Sequence, residues 1–515
     1  MKLPIQKLML ATGAAALLAT TMAAAPAAAQ TQDRTLRIGS WGLPPARGNP
    51  YNGLGTPSVF TWSAMYDMLT LVDEKGTAQP MLATQWKNTS PTTWEFTLRP
   101  AKFHNGETVT AEGVNAIWQW LQSDEGKAKG PSISVRTRGI ASMRAVGPTT
   151  LEITTAKPNP ILPNEMSVMM IAAPQALKDM GIDQFAQTPV GTGSYKIAAW
   201  SDTKATLVAA PDAWSPAKVK NLDVLALAER PARLQAFVSN QLDVMLGLTA
   251  DVIDQVKAAG KVIDVQPGQQ TLTFAITQNN AKDGVDITPF KDKRVRQALN
   301  HAVNAQGMAD GLLGGIAGVA TGQGVAPSAF GYNPNVKPYA HDPAKARALL
   351  AAAGYASGLK FVVDVVPGAF PADSEIFQQS FADMQKVGVA AEGRIIPFAD
   401  WLQKFNNVAW DSALWQNSWN AAPVMDASTS ILNQTCLKSK PYLCDPKQQA
   451  LVDAASTEFD VEKRRKILHD LIALQHEEAI NVFLVAYNNI HAHGANVQGF
   501  RNINNTITYA AMSFK

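Results

Sequence analysis

Few side chains in this chain could do chemistry, and they are scattered. Seven histidines stand at positions 104, 301, 341, 469, 476, 491 and 493. Only His491-x-His493 would put two imidazoles on one face of a strand, a spacing able to hold a metal. The competing reading is a strand end in solvent. His104 sits in a turn and reads as structural. Glu477-Glu478 ends a long helical pattern and reads as a solvated face. No G-x-S-x-G elbow, H-E-x-x-H or S-x-x-K stretch occurs. The turn Val190 to Lys196 (VGTGSYK) has glycines spaced like part of a phosphate loop, but no Lys-Ser/Thr pair follows them. These residues therefore describe a binder without a cofactor, not an enzyme.

The richest binding stretch is Trp401 to Asp426, WLQKFNNVAWDSALWQNSWNAAPVMD. It holds Trp401, Trp410, Trp415 and Trp419 beside Gln416, Asn417 and Asn420. Flat rings next to neutral amides suit stacking on sugar, aromatic or cationic groups. The competing reading is that Trp415 and Leu414 pack a strand, with one or two of the four tryptophans in the core. Two cysteines, Cys436 and Cys444, lie nearby in CLKSKPYLC. They lack C-x-x-C spacing and neighbouring histidines, so a disulfide is expected over a metal pair. It would close a short loop, contributing roughly 2–3 kcal/mol on a chain-entropy view.

The elements that must position these residues are legible from pattern. Trp94, Phe96 and Leu98 alternate with Glu95, Thr97 and Arg99, the period of a half-buried strand. Phe103-His104-Asn105-Gly106 then breaks the run. Thr110 is a helix N-cap for Val114, Ile117, Trp118 and Leu121. Leu36 to Trp41 reads as a first strand. Leu222 to Leu227 reads as another, followed by a helix through 232–240. Asp292 to Val303 predicts an amphipathic helix. Asp342, Pro343 and Gly354 punctuate one more helix as cap, first residue and stop. Val461 to Glu478 predicts a last long helix, with the apolar strand Ile480 to Tyr487 after it.

The first 29 residues read as a cleavable leader. Lys2 and Lys7 precede the uncharged run Leu8 to Ala25, and Ala27-Ala28-Ala29 supplies small residues for cleavage near Gln30. No cysteine stands at that junction for a lipid anchor, so a soluble periplasmic protein is expected. The remainder, about 485 residues, exceeds one core and calls for two or more lobes. Charged residues at 17% and a net charge of +3 leave no basic stripe for nucleic acid.

The string P-x-L-A-x-x-W, W-x-F-x-L-R, F-H-N-G-E-x-V-T-A-E over Pro80–Glu112 resembles the signature of the extracytoplasmic solute-binding proteins of family 5, the peptide, nickel and oligosaccharide receptors of ABC importers. Pro189 to Tyr195 is similar to that family's P-V-G-T-G-x-Y. So are Phe290 to Ala302 (F-x-D-x-R-V-R-Q-A-L-N-x-A) and Tyr339 to Tyr355 (Y-x-x-D-P-x-K-A-x-x-L-L-x-x-A-G-Y). Arg233 to Val244 is similar too, with Asn240 where glycine is usual. The resemblance implies an α/β, two-lobed periplasmic-binding-protein fold (type II, cluster C-like) with a two-strand hinge. Lobe I would comprise 31–278 and 486–515, with an extra subdomain at about 71–188. Lobe II would comprise 279–485. The hinge would lie near Thr273–Asn279 and Asn481–Tyr487. A monomer that captures a small solute and delivers it to an inner-membrane ABC permease is implied.

In the peptide receptors of that family the stretch equivalent to 411–426 reads D-x-x-x-x-G-W-x-x-D, and its aspartate pairs with the ligand's ammonium. Counting from Asp411 puts Asn420 there; anchoring on Trp419 puts Ala422 there. Neither is acidic, which disfavours free-N-terminal peptides, because a buried ammonium needs a counter-charge. A neutral or anionic solute is expected: an oligosaccharide, an amino-acid conjugate or a modified peptide. The rival is a di- or oligopeptide receptor using Asp426 through a remodelled loop. A remote rival is an exported hydrolase or metalloprotein. By analogy with the family, Trp41, Arg47, Tyr51, Trp401 and Tyr487 would line the cleft with Trp415, Asn417, Trp419, Asn420 and Asp426.

Overall fold

In the computed structural model, residues 31–431, 435–436 and 441–515 are described; the expected leader, 1–29, lies outside them. The patterned elements form where their caps and periods place them. Thr110 accepts a bond from Gly113 N at 3.0 Å and starts the helix Ala111–Gln122. Asp292 caps Lys293–Ala302, and Asp342 caps Pro343–Ala352. Phe96 and Leu98 are buried while Thr97 is exposed. Asn240 has φ +63°, a left-handed conformation that asparagine tolerates better than most residues, so glycine is dispensable there.

Three sheets organise the chain. The first lobe carries seven strands in the order Lys261–Gln266, Asn489–Gly494, Val244–Leu246, Gln32–Ser40, Val219–Ala226, Lys204–Ala209, Tyr195–Trp200. The second lobe carries six: Gly318–Val319, Asn481–Ala486, Gln270–Ile276, Leu414–Asn420, Leu359–Val365, Val389–Ile395. A separate antiparallel sheet of four strands, running from Ala83–Ser90 to Thr150–Thr155 in sequence, sits on the first lobe and shares its core.

Sheet membership fixes where the chain passes between lobes. Gln270–Ile276, expected at the end of lobe I, is a central strand of the second lobe's sheet. The first crossing is therefore Pro267–Gln269, earlier than the expected Thr273–Asn279. Thr271, Leu272 and Phe274 are apolar or uncharged on both faces and are buried, which suits a central strand rather than a connector. The return crossing is Tyr487–Asn488. The two crossings are bonded to each other: Gly268 N donates to Asn488 Oδ1 at 3.2 Å, and Tyr487 N to Gln270 O at 3.0 Å. A Cβ on Gly268 would lie 1.6 Å from the Tyr487 carbonyl oxygen, so only glycine fits.

The lobes also touch away from the crossings. Asn164 Nδ2 on the first lobe donates to Gly76 O at 2.8 Å and across to Val424 O at 2.9 Å. Val72 packs into the second lobe's core, and Val424 into the first's. Gly76, at φ +74°, presses on the Phe330 and Met425 backbone.

The glycine turn has a structural explanation. A Cβ on Gly191 would meet Met65 O at 2.1 Å, and one on Gly193 would meet Ala64 O at 2.5 Å. His104 holds the same turn: its Nε2 is 2.9 Å from Gly193 O, and its Nδ1 faces Gly191 N. His491 is no strand end in solvent either. Its strand lies between two others, and its ring is buried, with Nδ1 accepting from Gly247 N at 3.2 Å and Nε2 against Asn502. Among the described residues no group of three or more His, Cys, Asp or Glu could hold a metal. Cys436 and Cys444 are joined as a disulfide.

Two outcomes follow from these contacts. Gly268→Ala is expected to destabilise the protein by roughly 1–3 kcal/mol in urea unfolding, because the added methyl must displace a backbone carbonyl. Burial lowers the titration of His104, His476 and His491, the last to about 4. Each neutral ring adds stability that is complete above the free-histidine value of 6.5 and declines as pH falls, for His491 down to about 4. His104→Gln, whose amide can keep the Gly193 bond, should flatten the fall in melting temperature between about pH 7 and 5. An unchanged slope would contradict a neutral, buried His104.

Candidate functional site

A cavity of about 310 Å³ opens between the lobes beside the crossings. Its walls come from separate parts of the chain. The first lobe contributes Thr56, Met68 and Met170; the helix Pro131–Thr137 contributes Arg136; the second lobe's sheet contributes Gln270 and Asn420. Gln270 and Asn420 are direct partners in the antiparallel pair. They therefore stand side by side on one face, the face opposite Trp415 and Trp419. Asn420 Oδ1 accepts from Ala422 N at 2.7 Å, forming the turn that carries Ala422 and Pro423 into the cavity wall. A second cavity of about 430 Å³, lined by Trp41 and Trp62, shares Gly55 and Thr56 with the first.

The electrostatics of the main cavity are simple. Of the residues lining it, Arg136 alone carries a charge. Arg136 is exposed, and among the described residues its guanidinium makes no hydrogen bond and meets no carboxylate within ion-pair distance. Its field reaches Glu165, whose carboxyl is half-buried, raised above the usual range by desolvation, and bonded by Asn159 Nδ2 at 2.7 Å. Near the hinge, Gln269 is held by Asn504 and Asn505 through its side-chain amide.

The ten residues singled out from sequence are dispersed. Asn420 lines the interlobe cavity, and Trp41 lines the adjoining one, edge-on to Phe60. Arg47 turns to Gln187, and its carbonyl accepts from Trp62 Nε1 at 2.6 Å. Tyr51 is fully buried, tilted against Trp120. Trp415 stacks flat on Trp410 at 4.1 Å in the second lobe's core, and Trp419 is buried against Gly324. Three of the four tryptophans, Trp410, Trp415 and Trp419, are thus core residues, more than expected; Trp415, Asn417 and Trp419 share the inward face of one strand, and Trp410 stacks on Trp415. Trp401 is half-buried, stacked on Phe405, with Nε1 donating to Gln416 O at 2.8 Å. Tyr487 donates to Pro371 O at 3.0 Å and stacks on Phe370 at the return crossing.

Asp426 is 1% exposed, in a forked pair with Arg464, and both side chains line a cavity of about 220 Å³ shared with Trp86, Trp94 and Asn164 of the first lobe. Its Oδ2 accepts from Nη1 at 2.6 Å, and its Oδ1 from Nη2 at 2.8 Å. Ser428 N and Oγ complete the shell. Both carboxylate oxygens are committed inside the protein. Arg136, Gln270 and the two methionines escaped the sequence reading. The signal for Gln270 was its place opposite Asn420, visible only once strands are paired. No local pattern marks Arg136.

A two-lobed α/β fold with its cavity at a double crossing defines a receptor that encloses a ligand. Comparison with known proteins gives the family. The model for bacterial extracellular solute-binding proteins, family 5, matches residues 77–438, and the chain belongs to that family, the substrate-binding proteins of ABC importers. It is similar to the glutathione-binding protein GsiB of Escherichia coli K12, 24% identical over 478 residues, covering 88% of this chain and 89% of that protein. GsiB of Salmonella paratyphi A is 28% identical over 349 residues, covering 66% of this chain and 65% of that one. Among solved structures, HbpA2 from Haemophilus parasuis superposes with a TM-score of 0.84 at 21% identity, covering 94% of this chain and all of the other. DppA from Helicobacter pylori in complex with peptide STSA gives 0.73 at 20%, covering 94% and 98%. No helix of the described residues is long and apolar enough to cross a membrane.

The Asp426–Arg464 pair sets a stability expectation. Asp426→Asn leaves a buried guanidinium short of its counter-charge and should cost about 3–5 kcal/mol in denaturant unfolding. A near-neutral result would show that the pair is solvated.

Proposed function

We propose that this protein is a monomeric periplasmic receptor whose ligand is a neutral or anionic small solute, not an ordinary peptide with a free N-terminus. It closes on that solute between its lobes and presents it to an inner-membrane ABC permease. Capture needs no bond-making, only a higher affinity for the closed state than for the open one. The lobe boundaries supporting this reading are the crossings at Pro267–Gln269 and Tyr487–Asn488.

The observation that carries the ligand class is the placement of acids. No carboxylate lines the cavity beside the crossings; a further cavity between the lobes, of about 220 Å³, has Asp426 in its wall, together with Arg464. Asp426, the one acid a remodelled loop might have offered to an ammonium, is bound on both oxygens by Arg464. An ammonium enclosed in the cavity beside the crossings would lose its hydration without gaining a counter-charge. Hydroxyls, carbonyls and carboxylates would instead meet amide donors and a guanidinium.

Native mass spectrometry of the chain purified from a periplasm without refolding tests this directly. The expected result is one non-peptide or modified-peptide mass, released on unfolding. A broad ladder of ordinary peptide masses would defeat the ligand assignment and restore a general peptide receptor.

A further inference from the structure

We infer that the ligand carries a carboxylate and that Arg136 is its anchor, with Gln270 and Asn420 binding the group next to it. This rests on the receptor reading above and narrows it from neutral or anionic to carboxylate-bearing. Where peptide receptors of the family offer an aspartate to an ammonium, this chain has Asn420 or Ala422, and both line the same cavity as Arg136. The subsite's charge is inverted: an acid is missing and a base is present.

The side chains around Arg136 leave it available. Its field reaches Glu165 on the first lobe, whose half-buried carboxyl is held by Asn159. Asp426 belongs to Arg464. Gln270, whose amide has no partner among the described residues, and Asn420, with only Oδ1 engaged, project from paired strands on the second lobe. A ligand carboxylate on Arg136 would thus be gripped from the first lobe while its adjoining carbonyl or hydroxyl meets amides from the second. Such a ligand ties the two lobes together, which is the differential interaction that closure requires. A carboxylate is favoured over a phosphate because one planar guanidinium matches one carboxylate in both charge and fork geometry. A phosphate dianion would leave a charge uncompensated in the same cavity. Met68 and Met170 offer adaptable apolar surface to the rest of the molecule.

The test compares the full chain with Arg136→Gln and Arg136→Lys, all purified from the same periplasm. The probe is the compound released from the wild type by unfolding, used as such and after conversion of its carboxyl to the methyl ester. Expected are rebinding of the free acid by the wild type, and weakening by about tenfold or more on esterification or in Arg136→Gln, with Arg136→Lys between. Esterification should have little further effect in Arg136→Gln. Matching melting temperatures of the ligand-free proteins separate lost affinity from misfolding. A released sugar without an acid would overturn this inference and leave the receptor reading standing. A phosphate or sulfonate compound would overturn the carboxylate assignment. Ordinary free-ammonium peptides, held equally by Arg136→Gln, would overturn both readings.

Discussion

The architecture depends on a close backbone approach at one place. Pro267–Gln269 and Tyr487–Asn488 pass between the lobes side by side, and the Tyr487 carbonyl occupies the space where any side chain on residue 268 would begin. Two bonded segments resist splaying and shear, but they allow the lobes to rotate about their common line. Everything beyond that line inherits the constraint. The Gln270↔Asn420 pair begins one step past the first crossing, so the second lobe's amides are placed by the hinge itself. Tyr487, stacked on Phe370, ties the return crossing to the loop after Leu359–Val365.

A second set of contacts decides how the lobes meet at a distance from the hinge. Val72 and Val424 are exchanged between cores, and Asn164 bonds carbonyls on both sides. Trp94 of the first lobe also faces Phe459 of the second, ring centroids 6.1 Å apart. Close to it, the Asp426–Arg464 pair is buried in the wall of a cavity between the lobes. Burying an acid and a base together satisfies both and removes the acid from any ligand. A feature that looks like a binding residue in one dimension is thereby spent on the fold in three.

The polar character of the cavity follows from the same economy of charge. Ion pairs such as Arg37–Asp243, Arg296–Glu478 and Lys404–Asp364 lie elsewhere in the lobes. The cavity beside the crossings is lined by apolar side chains, amides, hydroxyls, thioethers and one guanidinium. A receptor with such a lining discriminates chiefly by which ligand charge it leaves unpaired, and an ammonium is the costly one.

Local signals in the sequence determined a good deal. Caps at Thr110, Asp292 and Asp342, the alternation around Phe96, and the paired cysteines each act within a few residues, so their outcome needs no distant partner. The ordered motifs from Pro80 to Tyr355 carried the family and hence the two-lobed fold. The tertiary structure alone decided which residues line the cleft. Trp415, Trp419, Tyr51 and Asp426 have the side chains of a binding site, yet strand facing and a distant arginine turn them inward. Arg136 has no distinguishing neighbourhood in the chain and gains its position from how a short helix docks beside a hinge formed by residues 267–269 and 487–488. Exposure, pairing and charge compensation arise from contacts between segments tens to hundreds of residues apart, and no local pattern of residues encodes them.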